Sequence, residues 1–293
     1  ELFGDGSQLG MSFSYAVQEQ PRGLADAFII GEEFIGNDAV ALVLGDNIFY
    51  GQSFSAVLRR VAERTEKEIG ATIFGYYVRD PREYGVVEFD ESGRALSIEE
   101  KPEHPKSNLA SMGIYIFSWK ILRKMLIADM KNAESSHDFG KDIIPSLLAD
   151  NRKLVAYKFK GYWKDVGTLG SYWEANMELI DIIPEFNLYE EFWKIYTKSD
   201  AVPPLYVSGE GFIERSIVCG NSTIEGTVIN SVIGAGVTIG KGAVVRDSII
   251  MKNTTIGTGC QVDKAIIAEE VTIGEGCVLG VGENIPNKVY PKV

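Results

Sequence analysis

Aliphatic residues in the last third of the chain recur at two regular intervals. Segments that begin at Gly236, Asn253 and Glu270 read GVTIGKGAVV, NTTIGTGCQV and EVTIGEGCVL, and they repeat with a period of 17 residues. An aliphatic residue also recurs every six positions. An antiparallel sandwich would show a period of two, so the pattern predicts a parallel β-helix with three-sided coils. The residues expected to point inward are Ile233, Ile239, Val245, Ile250, Ile256, Val262, Ile267, Ile273 and Leu279.

The repeat region is expected to form a domain of its own. The dipeptide Pro203-Pro204 is typical of a linker and predicts two domains, residues 1–203 and 204–293. A less regular first coil should follow the linker and run through Ile213, Ile217, Ile224 and Ile229.

The hydrophobic pattern before this linker predicts strands that alternate with helices. Residues 39–44 (AVALVL) are apolar on both faces, as in a buried parallel strand. Ser53 and Thr168 each precede a helical pattern and are expected to cap it. The alternation predicts a layered α/β domain with a largely parallel sheet. Further strands are expected at 71–78, 86–89, 95–98, 114–117 and 154–159, and helices at 23–34, 53–67, 120–126, 141–148 and 168–180.

Composition and charge narrow the choice of partners. The chain is 45% hydrophobic and 24% charged, which is typical of a globular protein. Its formal net charge of -12 disfavours nucleic acid as a partner. The apolar runs are too short to span a bilayer, so no membrane association is expected. Three cysteines without a CxxC pair favour a reducing, cytoplasmic location.

Two aspartates follow predicted strands and are candidate metal ligands. Asp46 comes directly after residues 39–44, and Asp165 lies between a strand and the helix that Thr168 begins. Ligands in open α/β sheets bind beyond the carboxyl ends of strands, and Mg²⁺ typically takes one or two carboxylates plus phosphate oxygens. Both positions equally suit an ordinary turn residue.

Other polar residues are weaker candidates when they are taken alone. Glu100 and Lys101 end a strand, where a carboxylate suits sugar hydroxyls and an ammonium suits a phosphate, although such charges often form a solvated edge. Gln18, shortly before Gly23 and a helix, offers both a donor and an acceptor to a base, but an ordinary loop gives the same pattern. The two histidines lack the spacing of a zinc site.

Two sets of motifs resemble sugar-phosphate nucleotidyltransferases. Residues 1 to about 100 resemble glucose-1-phosphate thymidylyltransferases, through GDGSQLGMSFSYAVQ, GLADAFIIGEEFIG, ALVLGDNIFYG, DPREYGVVEFDESG and IEEKP. Residues from about 105 to 293 resemble bacterial glucose-1-phosphate adenylyltransferases, through PKSNLASMGIYIF, SSHDFGKDIIP, FKGYWKDVGT, WEANMEL and the repeats.

This resemblance implies a fold, a reaction and a set of site residues. The fold would be a Rossmann-like nucleotidyltransferase domain followed by a left-handed parallel β-helix of hexapeptide repeats that makes subunit contacts in a homo-oligomer. The reaction would transfer a nucleotidyl group from a nucleoside triphosphate to glucose 1-phosphate with Mg²⁺, through positioning and charge neutralisation. The resemblance implies that Asp46 and Asp165 bind Mg²⁺, that Lys101 binds the sugar phosphate and that Glu100 binds the sugar hydroxyls. It also implies that the sugar site is shaped by Tyr84, Gly85 and Ser111, and that the nucleotide base is contacted by Gln18 and Gly23.

Two departures from the family pattern qualify these expectations. Both families open with a strand and a Gly-rich loop that cradles the triphosphate, and this sequence shows neither, so an N-terminally truncated and nearly inactive domain is expected. The resemblance also changes near residues 100–108, as at a join between two genes.

Three functional alternatives remain open. The resemblance of the longer second half to adenylyltransferases favours ATP as the nucleotide. The first half, which holds the predicted base contacts, resembles thymidylyltransferases and favours dTTP or UTP. A non-catalytic regulatory subunit would explain a missing loop. A hexapeptide acyltransferase is disfavoured, because residues 205–293 contain no histidine to act as its base.

Overall fold

The computed structural model describes residues 3–20, 22–149, 153–191, 195 and 201–282. The chain divides into two compact units, Glu1–Trp163 and Lys164–Val293. No helix within the described ranges is both long enough and apolar enough to cross a membrane. The helices of the first unit are α1 (Leu24–Ile30), α2 (Glu32–Ile35), α3 (Phe54–Arg64), α4 (Trp119–Met130) and α5 (Ile144–Ala149), with a 3₁₀ turn at Ser7–Leu9 and π-helical turns at Thr65–Ile69 and Phe139–Ile143.

A mixed sheet forms the centre of the first unit. Its strands lie in the order β5-β4-β6-β3-β7, and β1 pairs with β6 beside this row. The pairing of β3 with β7 is parallel, whereas β6 runs antiparallel to β1, β3 and β4. The expectation of a largely parallel sheet was therefore wrong. The strands of this sheet are β1 (Val40–Val43), β3 (Gly70–Tyr77), β4 (Gly85–Phe89), β5 (Ala95–Glu100), β6 (Leu109–Phe117) and β7 (Lys153–Lys158), whereas β2 (Asn47–Tyr50) and β8 (Tyr162–Asp165) lie outside it.

Strand β1 differs from the buried parallel strand that residues 39–44 predicted. Val40 and Leu42 pack against the main core, but Ala41 and Val43 are exposed. The strand is antiparallel to its neighbour β6. Apolar side chains on the exposed face explain the error, because the sequence pattern does not reveal which apolar residues are covered.

The central strand β6 is buried along its whole length and carries a bulge. Ile73 of β3 pairs with Tyr115, and Gly75, two residues later, pairs with Ser111. Between these two pairs β3 advances by two residues while β6 advances by four, so β6 contains two extra residues here. Gly113 lies inside the bulge with φ +69, where a side chain would be strained.

The bulge coincides with a fork in the sheet. On one edge of β6, Val86 of β4 pairs with Ala110, while Val43 of β1 pairs with Ile114. Two strands therefore share this edge and separate at the bulge. We call this place the sheet fork; it brings the start of β4, the end of β1 and the middle of β6 together.

Two predicted helix starts had different outcomes. Thr168 caps α6 (Leu169–Glu178) in a capping box with Ser171, as predicted. Ser53 precedes α3 but adopts a left-handed conformation, and its side chain makes no capping hydrogen bond, so that prediction was wrong. The predicted helix at 23–34 is divided at Gly31 into α1 and α2.

The second unit contains α6 and a parallel β-solenoid with three stacked sheets, which confirms the predicted three-sided coil. The inward positions predicted from Ile233 to Leu279 are buried in its core or packed against it. The strands are β9 (Tyr206–Val207), β10 (Phe212–Glu214), β11 (Ile217–Val218), β12 (Thr223–Ile224), β13 (Thr227–Ile229), β14 (Val232–Ile233), β15 (Thr238–Ile239), β16 (Val244–Arg246), β17 (Ile249–Ile250), β18 (Thr255–Ile256), β19 (Gln261–Asp263), β20 (Ile266–Ile267), β21 (Thr272–Ile273) and β22 (Val278–Leu279).

Of the four inward positions predicted for the first coil, two were wrong by one residue. Ile213 and Ile224 contribute to the solenoid core as expected, but Val218 and Val228 contribute in place of Ile217 and Ile229. The parallel register decides this, because Val218 pairs with Ile233 and Val228 pairs with Val245. A shift of one residue along a strand turns a side chain to the opposite face.

The division into units follows contacts of α6 rather than the proline pair. Trp173 of α6 donates an indole hydrogen bond of 2.7 Å to the carbonyl of Asp247, and the Lys264 ammonium lies 5.2 Å from the centre of its ring. These contacts group α6 with the solenoid. The boundary predicted after residue 203 stays a prediction.

Each coil turns its corners with residues in the left-handed region. Non-glycine residues at these corners carry strain, because their β-carbon crowds the following carbonyl. One corner stacks Asn221, Gly236, Asn253 and Glu270, with φ between 55° and 72°, and another stacks Arg215, Asn230, Asp247 and Lys264, with φ between 43° and 48°.

Replacing Glu270 by glycine should stabilise the solenoid. Glu270 has φ 60° and is exposed, so Glu270→Gly relieves strain without removing a core contact. We expect the free energy of unfolding to rise by about 1 kcal/mol in chemical denaturation. Glu275→Gly is the matched control, since Glu275 lies in the same coil without a positive φ, and there the change should lower stability. Equal effects of the two substitutions would contradict the strain argument.

Candidate functional site

Three of the predicted sugar-site residues meet at the sheet fork. Gly85 begins β4, Glu100 ends β5, and the two pair across the hairpin. A β-carbon built on Gly85 would lie 3.0 Å from Glu100 Oε2 and 3.8 Å from the β-carbon of Ser111. Because Gly85 has no side chain, a carboxylate and a hydroxyl can share this small space.

Tyr115 completes this cluster and was not found from the sequence. Ser111 Oγ donates a hydrogen bond of 2.8 Å to Tyr115 Oη, and both residues are buried. The bulge at Gly113 lies between them on β6. Burial raises the pKa of Tyr115 to about 12, and the negative charges of Glu100 and Asp138 act in the same direction, while the Ser111 hydrogen bond opposes them. The phenol therefore stays protonated near neutral pH.

The turn before α5 closes another side of the cluster. Asp138 Oδ1 accepts a hydrogen bond of 2.9 Å from the Lys141 backbone amide and so caps the π-helical turn. Burial raises the pKa of the Glu100 carboxyl, Lys101 and Lys141 oppose that shift, and Asp138 adds to it. A carboxylate pair flanked by lysines suits a polyhydroxyl ligand, because carboxylates accept hydrogen bonds from hydroxyls.

Lys101 and Tyr84 lie next to this cluster and contact each other through the backbone. The Lys101 amide donates a hydrogen bond of 3.0 Å to the Tyr84 carbonyl. Lys101 itself has φ 46°, a conformation that is uncommon for a residue with a side chain. The Tyr84 ring packs against Trp163, with ring centres 5.3 Å apart.

Asp46 lies on the turn that follows β1 and is exposed. Its Oδ1 accepts a hydrogen bond of 2.9 Å from the side-chain amide of Asn47. Trp163 Nε1 donates a hydrogen bond of 2.8 Å to the other end of that amide, Asn47 Oδ1. Asp46 Oδ2 accepts no hydrogen bond from the described residues, so it is open to an external ligand.

Gln18 and Gly23 meet at the start of α1. Gln18 Nε2 donates to the Gly23 carbonyl at 3.1 Å and to Asp26 Oδ2 at 3.0 Å, which leaves its Oε1 to accept a hydrogen bond from a base. Gly23 has φ +91, and a β-carbon there would lie 2.6 Å from the His137 carbonyl. Gly23 therefore lies against the segment that leads to Asp138, and Gln18 is held beside Gly23.

Asp165 belongs to the second unit, where it shapes the start of α6. Its Oδ1 accepts a hydrogen bond of 2.8 Å from the Gly167 amide. Asp46 lies in the first unit, so a shared metal site of Asp46 and Asp165 stays a prediction. The described residues contain no group of three or more His, Cys, Asp or Glu side chains able to hold a metal. Carboxylate oxygens nevertheless fit Mg²⁺, which often relies on one or two carboxylates together with phosphate oxygens.

Comparison with known protein families agrees with this fold. Residues 1–182 match the family described as Nucleotidyl transferase, and residues 207–291 match the family described as GlmU-like, C-terminal hexapeptide. The first match covers more than half of the chain. The chain therefore belongs to the nucleotidyl transferase family.

Individual relatives are named more specifically. A glucose-1-phosphate adenylyltransferase of Lachnospira eligens is 60% identical over 53% of this chain and 36% of its own length. Glucose-1-phosphate adenylyltransferases of Acetivibrio thermocellus and Thermotoga maritima are 45% and 47% identical over 86% and 93% of this chain, and over 59% and 65% of their own lengths. The chain thus spans between about one third and two thirds of the curated relatives that it matches.

These alignments bear on the change of resemblance near residues 100–108. An alignment over 93% of the chain includes most of residues 1–100, so similarity to adenylyltransferases extends into the first part. The thymidylyltransferase resemblance of that part and the join between two genes stay predictions.

Removing the Tyr115 hydroxyl should destabilise the first unit. In Tyr115→Phe the buried Ser111 hydroxyl loses its acceptor, and we expect the free energy of unfolding to fall by about 1–2 kcal/mol in urea denaturation. Tyr206→Phe, at an exposed tyrosine of the solenoid, should have no measurable effect and serves as the control. Unchanged stability in Tyr115→Phe would argue against this hydrogen bond.

Proposed function

We propose that this protein transfers an adenylyl group from ATP to glucose 1-phosphate, forming ADP-glucose and pyrophosphate. The relatives that align with 86–93% of the chain carry this activity in their names. The observation that carries the proposal is the cluster at the sheet fork, where Gly85, Glu100 and Ser111 are neighbours, as sugar-binding residues must be.

The chain's residues would act by binding and orienting the two substrates. A phosphate oxygen of glucose 1-phosphate attacks the α-phosphorus of ATP, the bond from that phosphorus to the oxygen bridging the β-phosphate breaks, and pyrophosphate leaves. Glu100 and Ser111 would accept hydrogen bonds from sugar hydroxyls, and Lys101 would neutralise the sugar phosphate. Gln18 Oε1 would accept a hydrogen bond from the base beside Gly23. No protein nucleophile is required.

Asp46, with Asp165 as its predicted partner, would hold the magnesium ion. The open Oδ2 of Asp46 is an oxygen donor of the type that Mg²⁺ binds. The bound ion would supply positive charge to the phosphate oxygens.

The nucleotide and the setting of the protein are parts of the same proposal. The motifs of residues 1–100, which include Gln18 and Gly23, favour dTTP or UTP as a second candidate. A homo-oligomer formed through the solenoid, a cytoplasmic location and the absence of nucleic-acid and membrane partners also stay predictions.

Pyrophosphate release by the purified protein tests this proposal. With Mg²⁺, glucose 1-phosphate and one nucleotide per assay, we expect the fastest release with ATP. Asp46→Asn should lower kcat by roughly two to three orders of magnitude, since charge stabilisation at the phosphates is lost. Asp38→Asn, an exposed aspartate just before β1, is the matched control and should leave kcat unchanged.

Each outcome of this assay has a defined meaning. Release with dTTP or UTP alone would replace ATP by that nucleotide and support the second candidate. No release with any nucleotide from the folded protein would contradict catalysis and favour the regulatory alternative.

A further inference from the structure

The side chain of Asn47 bridges Asp46 and Trp163, and its orientation is set by chemistry. An indole N–H only donates hydrogen bonds, so the atom that faces Trp163 Nε1 at 2.8 Å must be the Asn47 carbonyl oxygen. The Asn47 amide nitrogen then faces Asp46 Oδ1 at 2.9 Å, where an ionised carboxylate only accepts. Both ends of the amide are therefore matched to their partners.

Trp163 is a rigid reference point for this bridge. Its side chain is 6% exposed. Its ring packs edge-on against Tyr76, with centres 5.7 Å apart, and it lies tilted against Tyr84 at 5.3 Å. Tyr76 lies on strand β3, and the Tyr84 carbonyl accepts a hydrogen bond from the Lys101 backbone amide. The indole is thus held between the rings of two tyrosines, Tyr76 and Tyr84.

Asp46, by contrast, has little else to hold it. The residue is exposed, and a β-carbon built on the preceding Gly45 would meet no atom within 4 Å. Without Asn47 the carboxylate would exchange between rotamers, because a solvent-facing aspartate has several of similar energy. The hydrogen bond from Asn47 to Oδ1 selects one orientation of the carboxylate, and Oδ2 accepts no hydrogen bond from the described residues.

We propose that Asn47 is a positioning residue that holds the Asp46 carboxylate in its ligand-binding orientation by anchoring it to Trp163. The inference rests on the proposed function in one respect, namely that Asp46 binds the divalent cation. Groups that orient a metal ligand are commonly worth about 10- to 100-fold in metal affinity. In this role Asn47 acts through Asp46.

The test uses the Trp163 indole as a probe in the metal-free protein. The indole ¹H–¹⁵N resonance of Trp163 is identified by its absence in Trp163→Phe. Mn²⁺ alone is then titrated, and the paramagnetic broadening of this resonance reports binding near Asp46. Asn47→Leu keeps a branched side chain of similar size and removes both hydrogen bonds, and Asn37→Leu, at an exposed turn before β1, is the matched control.

We expect two effects of Asn47→Leu that the control does not show. The Trp163 indole resonance should move upfield, because its acceptor is lost, and the Mn²⁺ concentration for half-broadening should rise about tenfold. Asn47→Ala should give the same two effects, which keeps the test valid if the leucine variant does not fold. If the protein is active, Asn47→Leu should raise the Mg²⁺ concentration needed for half-maximal activity more than it raises the KM for glucose 1-phosphate.

The outcomes separate this inference from the proposed function. An indole resonance that does not move, or a half-broadening concentration within twofold of the wild-type value, would overturn the positioning role. Asp46→Asn provides the reference: if it abolishes Mn²⁺ broadening while Asn47→Leu leaves broadening intact, only the role of Asn47 fails. Broadening that survives Asp46→Asn unchanged would refute Asp46 as the cation ligand, and the inference with it. The indole and Mn²⁺ readouts hold even where no nucleotide supports pyrophosphate release.

Discussion

The bulge in strand β6 is the constraint on which the first unit depends. A strand that is buried along its whole length cannot slide, so extra residues in it must be absorbed by a local change of shape. Gly113 makes that change possible, and a β-carbon there would lie 2.8 Å from Leu44 Cδ1. The fork that results lets β1 and β4 share one edge of β6. Gly85 and Ser111, which are predicted to shape the sugar site, lie at this sheet fork.

The repetitive part of the fold was predictable because its signal is redundant. Each inward position of the later coils is supported by a period of six and a period of 17, so Val245 or Ile256 can be assigned without a structure. The first coil lacks this support, since Ile217 and Val218 are adjacent aliphatic residues and only strand pairing decides between them. The same limit applies to Val43, whose apolar side chain looks like a core residue but is 56% exposed.

Some residues of the candidate site could be predicted from local sequence motifs, and others depend on contacts between distant parts of the chain. Gly85, Glu100 and Ser111 were predicted from motifs shared with a known family, and the structure brings them together, while their role in sugar binding stays a prediction. Tyr115, Asp138 and Asn47 were missed, because their partners are set by the sheet and not by neighbours in sequence. Asn47 and Trp163 are 116 positions apart. The sequence offered one hint of this contact, because Asn47 and Trp163 each lie within two residues of an aspartate that was predicted to bind metal.

The corner geometry of the solenoid has a consequence for how such a chain can evolve. Successive coils repeat the same backbone turn at the same place, whether the corner holds glycine, asparagine or glutamate. A coil therefore presents nearly the same upper and lower surface as its neighbours, and within the solenoid it pairs with the coils above and below it. Duplication or loss of one whole coil that α6 does not contact would leave the stacking of the remaining coils intact. The height of the solenoid can thus change in discrete steps through single genetic events, independently of the candidate site at the sheet fork.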